Sequence, residues 1–281
     1  MNENGYAQSQ GMMLLNRVVE QVGPLFTSTE AQGAAPELAP QRVNAVLAQL
    51  TQSGWVERLK RGAYAVTTPI FDATVHPFAV AVFLASPVAI SHWSALAHHG
   101  FTTQIPPMVQ ASTPSTVVTP EMRQGEAYQP RGRAVWRALG FEFEFIHVQE
   151  DRFFGFAEIW VSRWHRVAIT DPERTLLDLF AAPQVFGSLQ FGLETLEAQL
   201  QSLNTGKLVA YALRYDVGSV IKRLGWALEG LGVPESVTAP LQAYPLRSYS
   251  QLDPTAPSGG VPVARWQLRN NLQQEINDAD D

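Results

Sequence analysis

The chain has 281 residues, of which 46% are hydrophobic and 16% charged, a balance that builds a sizeable core and excludes a mostly disordered polymer. A net charge of −6 excludes a surface that is basic all round for nucleic acid or an anionic membrane, while leaving room for a local basic patch. The absence of cysteine excludes a disulfide frame, a thiolate nucleophile, a zinc finger and a cysteine-ligated cluster, and fits a reducing cytoplasm.

The first 25 residues lack a basic-then-apolar leader pattern. The most apolar run, Pro77 to Ile90, is broken by Ser86-Pro87 and falls short of the ~20 residues that span a bilayer. A soluble cytoplasmic protein with no membrane partner is expected.

Residues 1–10, rich in Asn, Gln and Ser, read as a flexible lead-in, with order beginning near Gly11. Met12, Leu15, Val18, Val19 and Val22 recur at helical spacing until Gly23-Pro24 stops them. Thr27 to Glu30 has the spacing of a capping box and opens a short second helix. Ala39-Pro40 opens a third, with Val43, Val46, Leu47 and Leu50 on one face and Gln41, Arg42 and Asn44 on others. Beyond Gly54, residues 55–59 and 62–66 read as two strands around a Lys60-Arg61-Gly62 turn.

Helix, short helix, helix and hairpin within ~60 residues is the order of a winged helix-turn-helix, whose last helix enters the major groove while the hairpin lies on the backbone. The donors and acceptors of Arg42 match a guanine edge, and those of Gln41 or Asn44 an adenine edge. Arg58, Lys60 and Arg61 are placed to neutralise phosphates. A small helical domain with a hairpin also joins proteins, and residues 11–66 hold five basic and four acidic side chains, a thin surplus for DNA.

From Ala73 to Pro120 there is no Asp, Glu, Lys or Arg, so this stretch supplies core or a covered face. Pro77 to Ala85 reads as a buried helix, Ser91 to His99 as a helix capped by Ser91, and Met108 to Ser112 as a strand. Residues 112–131 read as a long loop and Arg131 to Leu139 as a short helix stopped by Gly140. Phe141 to Phe145 alternates as a half-buried strand; Phe153 to Val161 reads as a central strand and Arg166 to Ile169 as a third, together an antiparallel sheet packed by helices. Thr170 is placed to cap a helix from Glu173 to about Ala181. Three helices are expected over 189–203, 208–215 and 217–231, then a last strand over 261–268 and a frayed acidic tail over 271–281.

The sequence has no glycine-rich phosphate loop, G-x-S-x-G elbow or H-E-x-x-H, and its carboxylates are scattered rather than clustered for metal, so neither an enzyme nor a cofactor is expected. His92 and His99 share a helix face, with packing or partner contact as the better account than metal. Arg174 and Asp178 stand at ion-pair spacing on one helix.

Three strings behind the N-terminal module point to a family: Ser91-His92-Trp93-Ser94-Ala95-Leu96-Ala97-His98-His99-Gly100, then Thr170-Asp171-Pro172-Glu173-Arg174-Thr175-Leu176-Leu177-Asp178-Leu179, then Arg223-Leu224-Gly225-Trp226-Ala227-Leu228-Glu229. In this order they resemble the AbiEi antitoxins of type IV toxin-antitoxin, or abortive infection, systems, over residues 11 to 270 or so.

The resemblance implies an α+β chain, with a winged helix-turn-helix over 11–68 and a mixed α/β antitoxin domain over 71–270 that holds an antiparallel sheet and C-terminal helices. It implies a protein that binds inverted repeats in the double-stranded promoter DNA of its own operon and represses it. It further implies that the second domain counteracts, directly or indirectly, a nucleotidyltransferase-type toxin encoded nearby, some such systems acting in phage defence. Gln41, Arg42, Asn44, Arg58, Lys60 and Arg61 are then the DNA candidates. Ser91, His92, Arg174, Asp178 and Arg223 match motif positions of the antitoxin domain, either holding its fold or touching the toxin, with fold the preferred reading. Members often carry a more basic face; this chain departs from that, with a net −6 from residue 71 on. A stand-alone transcriptional regulator whose second domain senses a ligand or a protein is the alternative.

Overall fold

In a computed structural model of the chain, residues 3–71, 74–123, 125 and 133–272 are described, with side chains from residue 10 on. The tail expected to fray lies outside the described residues from 273 on. By contacts the chain divides into two compact units, each assembled from several segments. The first takes residues 1–90, 107–147 and 158–168, and the second 91–106, 148–157 and 169–281.

The first unit opens with α1 (Glu3–Gln21), so the stretch read as a lead-in is helical from residue 3. β1 (Leu25–Thr27) follows, a strand too short to show a period in the sequence. Then come α2 (Ser28–Ala34), α3 (Pro40–Gln52), β2 (Val56–Lys60) and β3 (Ala63–Val66). The Thr27 hydroxyl accepts from the Glu30 amide at 3.2 Å while the Glu30 carboxylate accepts from the Thr27 amide at 2.7 Å, the reciprocal capping box that the local sequence specifies. Val43, Val46, Leu47 and Leu50 of α3 are buried with Leu14, Leu15 and Val18 of α1 and Phe26 of β1. Each such side chain contributes about 1.5–3 kcal/mol of burial. The three strands form a sheet in the order β1-β3-β2, antiparallel throughout.

α4 (Pro77–Leu84), β4 (Ala89–Ile90), β5 (Val109–Thr113), α6 (Pro120–Arg123), β6 (Ala134–Ala138), β7 (Phe141–His147), β8 (Phe156–Trp160) and β9 (Arg166–Thr170) follow, with α5 (His92–His98) of the second unit between β4 and β5. The six strands lie in the order β6-β7-β5-β4-β9-β8. The sheet is mixed rather than antiparallel, because β5 and β7 run parallel. β8, expected to be central, is an edge strand with Trp160 exposed.

The helix expected over 131–139 is instead β6 in its described part, paired antiparallel with β7. Leu139 (φ 53°) and Gly140 (φ 76°) form the two-residue turn between them, and positive φ at both matches the twist of the flanking strands. The acidic face of β7 is not simply solvated either. Glu144 is buried and accepts from Gln110 at 2.6 Å, with Arg133 at 3.4 Å.

The second unit gathers α5, α7 (Pro172–Ala181), α8 (Pro183–Phe186), α9 (Leu189–Gln199), α10 (Thr205–Tyr215), α11 (Gly218–Gly230) and α12 (Glu235–Ala243) around a core of Leu176, Phe180, Leu196, Leu224, Leu241 and Trp266. The expected last strand is two, β11 (Val261–Val263) and β12 (Leu268–Asn270), with a 3-10 turn over Ala264–Trp266 between them. β12 pairs also with β10 (Ser250–Gln251). Asp171, not Thr170, caps α7, its carboxylate accepting the Arg174 amide at 2.9 Å. Among the described residues no helix is long and apolar enough to cross a membrane.

Candidate nucleic-acid interface

α2, the turn after it and α3 form the helix-turn-helix, and the β2-β3 hairpin is the wing. With four apolar side chains of α3 inside, Gln41, Arg42, Asn44, Ala45, Ala48 and Gln49 remain exposed. That surface carries amides, small residues and one cation, and α3 contains no carboxylate to repel a phosphate. Arg42 is drawn toward α1, its Nε donating to Gln10 Oε1 at 3.0 Å.

The wing is short and tied down. Gly62 turns with φ +72°, and its carbonyl accepts the Ser28 amide at 2.9 Å. Glycine is favoured at Gly62 by this backbone conformation, and a Cβ there would also press on Ser28 Oγ at 3.2 Å. Arg58, Lys60 and Arg61 are exposed, and all three line one cleft beside the wing. Lys60 also donates to the Leu84 carbonyl at 3.2 Å, and burial holds its ammonium below the usual lysine range. Gln41, Arg42 and Asn44 do not line that cleft. Arg123, which joins the wing cations there, is missing from the sequence reading because it sits in a Thr- and Pro-rich stretch without periodicity.

The motif residues of the second unit are all buried. Arg174 pairs with Asp178, and its guanidinium lies 5.3 Å from the Phe154 ring and 5.2 Å from the Tyr215 ring. Gly155 (φ +79°) passes so close that a Cβ there would come within 2.8 Å of Arg174 Cβ. Burial, and then the Asp178 carboxylate, raise the Tyr215 hydroxyl above its usual range. Arg223 donates to the Gln251 carbonyl at 3.3 Å and the Phe180 carbonyl at 3.5 Å, and burial lowers its affinity for the proton against the pull of Asp253. Ser91 Oγ and His92 Nδ1 share a hydrogen bond at 2.8 Å, and the His92 ring stacks on Phe186. Each of these contacts joins groups within the unit's own fold.

Beside Arg174 lies a second network unseen in the sequence. Asp171 accepts from the Tyr211 hydroxyl at 2.8 Å, and Lys207 lies 3.0 Å from Asp171 and 2.8 Å from Glu173. His99 Nε2 meets the Thr170 carbonyl at 2.7 Å. Among the described residues no group of three or more potential ligands gathers.

Three helices closed by a three-stranded wing sheet define a winged helix-turn-helix of the kind used by transcriptional regulators. The family described as "Transcriptional regulator, AbiEi antitoxin" matches residues 13–67, which are the helices and the wing, and there the resemblance seen in the sequence holds. No curated protein matches the chain. Among solved structures, the RV2827C protein from Mycobacterium tuberculosis is similar, with a TM-score of 0.61 and 16% identity over 92% of this chain and 90% of that one. At that identity the likeness is one of fold.

Proposed function

We propose that the protein is a non-enzymatic antitoxin and autorepressor of the AbiEi kind. α3 reads inverted repeats in its own promoter through Gln41, Arg42 and Asn44, with Arg58, Lys60 and Arg61 of the wing on phosphates. Residues 71–270 counteract a nucleotidyltransferase-type toxin encoded nearby, in the cytoplasm and against phage. The observation that carries this reading is an exposed, carboxylate-free α3 surface inside the segment that matches the regulator family. Ser91, His92, Arg174, Asp178 and Arg223 hold the fold of the antitoxin part, because their contacts turn inward.

The test has two arms. Fluorescence anisotropy of the full chain on its own upstream DNA, against a scrambled duplex and across a salt series, reads the repressor half. With few phosphate contacts near a nearly neutral module, the salt slope is shallow, and two copies on adjacent repeats strengthen binding. Growth of cells expressing the adjacent gene, with and without this protein, reads the antitoxin half. DNA binding without rescue leaves a stand-alone regulator; rescue without DNA binding removes the winged helix from the account.

A further inference from the structure

The wing cations line a cleft that no residue of α3 shares. Arg58, Lys60 and Arg61 line a cleft of about 870 Å³ with Arg123, and no acidic side chain lines it among the described residues. Among the described residues, the other cations of the same unit have contacts of their own. Arg17, Arg133, Arg137 and Arg166 each meet a carboxylate, Arg42 donates to Gln10, and Arg163 lies over the Trp164 ring. The four cleft cations have no carboxylate partner among the described residues.

In a chain of net −6, four cations that line one cleft with no acidic side chain in its described lining suit an anionic ligand. Thr116 lines the same cleft and adds a hydroxyl donor of the kind phosphate oxygens accept, while the Ser115 hydroxyl, also in the lining, donates to the Ser86 carbonyl at 3.4 Å. The volume is in the range of cavities that hold a nucleotide-sized ligand.

We infer that this cleft is a phosphate site, separate from the base-reading surface of α3, which takes a ligand bearing several phosphate charges. Forked guanidinium donors from Arg58, Arg61 and Arg123 suit phosphate oxygens, with Lys60 as a point charge beside them. Two sources supply this chemistry: a free polyphosphate or nucleotide, and the backbone of a DNA duplex. The assignment does not rest on α3 reading DNA.

The experiment is calorimetric titration of the full chain with sodium tripolyphosphate, repeated with Arg123→Gln and Lys60→Gln, beside anisotropy of the same three proteins on a mixed-sequence duplex at several salt concentrations. Arg123 stands outside the winged helix and is exposed, so its replacement leaves the thermal midpoint unchanged. One-to-one binding of tripolyphosphate that weakens about tenfold in each variant assigns the cleft to a free phosphate ligand. No binding of tripolyphosphate, with a severalfold loss of duplex affinity in Arg123→Gln and a salt slope smaller by about one, assigns it to the DNA backbone. Tripolyphosphate binding that is equal in all three proteins, or variants that change neither titration, overturns the site. Failure of the α3 reading would be seen separately, as unchanged promoter binding in Asn44→Ala.

Discussion

Glu57, on the wing strand β2, accepts the backbone amide of Leu139 at 2.9 Å, so the one acidic residue of that strand fastens the wing to the turn between β6 and β7. β2 is the edge of its three-stranded sheet, and an edge left uncovered is prone to mispairing. Glu57 and Lys60 cover it from one side, toward Leu139 and toward the Leu84 carbonyl. A hydrogen bond to a charged group contributes about 1.5–3 kcal/mol. Glu57→Ala is therefore expected to lower stability by about 1–2 kcal/mol, Glu57 being only partly buried. The same change should speed hydrogen exchange at the Leu139 amide, and unaltered exchange there would count against the tether.

The α3 surface makes a separable prediction. Asn44 and Gln41 are exposed on a helix whose packing rests on Val43, Val46, Leu47 and Leu50. Asn44→Ala and Gln41→Ala are expected to move unfolding by no more than about 0.5 kcal/mol. If the helix reads bases, each costs about 1–3 kcal/mol of binding to the cognate repeat and less on a scrambled duplex. Leu47→Ala is the contrast, since it costs about 2–5 kcal/mol of stability through a core cavity. Equal losses on cognate and scrambled DNA would move Asn44 and Gln41 from base reading to backbone contact.

The parts of this molecule that were legible in the sequence are those set by neighbours in the chain. Thr27 and Glu30 announce α2 because a capping box needs only three residues' separation, and α3 shows its buried face because its period is helical. Ala134 to Ala138 failed as a helix because a strand of five residues is specified by its partner, and Leu139, at positive φ, hides a turn usually marked by Asn or Asp. The parallel pairing of β5 with β7 joins residues more than thirty positions apart, which no local pattern carries. Arg58, Lys60 and Arg61 were legible as a cluster. Their gathering with Arg123 depends on tertiary folding, and so does the placement of Lys207 between Asp171 and Glu173.

Arg174 and Asp178, at ion-pair spacing on one helix, are buried side by side. Removing one member of a buried pair leaves an uncompensated charge and costs about 3–5 kcal/mol, whereas replacing both with apolar groups restores much of the loss. Arg174→Met and Asp178→Leu are each expected to be strongly destabilising, and the double replacement less so than the sum. Chemical unfolding of the four proteins measures that coupling. Additive losses would mean that the two side chains do not act as a pair, and intact stability in Arg174→Met would count against a structural role for Arg174.

The Lys207 bridge predicts how the second unit responds to pH. Burial opposes charge on both partners, yet their contact prevails: Lys207, with the Asn204 amide, holds the Glu173 carboxyl below the usual range, and Glu173 with Asp171 holds the Lys207 ammonium above its own. For Glu173 the folded pKa lies below the unfolded one, so its contribution is present above about pH 4.5 and is lost as pH falls through the folded value. For Lys207 the folded pKa lies above the unfolded one, so its contribution is complete below about pH 10 and is lost as pH rises through the folded value. The bridge therefore acts throughout the neutral range. Lys207 is 38% exposed, so solvent screening limits the effect to about 1 kcal/mol, or a fall of about 2–4 °C in the thermal midpoint for Lys207→Met at pH 7. The gap between the wild type and this variant should narrow as the pH is taken from 7 to 3, since protonating Glu173 removes in the wild type what the substitution has already removed. A gap of the same size at both pH values would mean that the Lys207 ammonium stabilises through its place over the Tyr211 ring, 5.4 Å from the centroid, and not through Glu173.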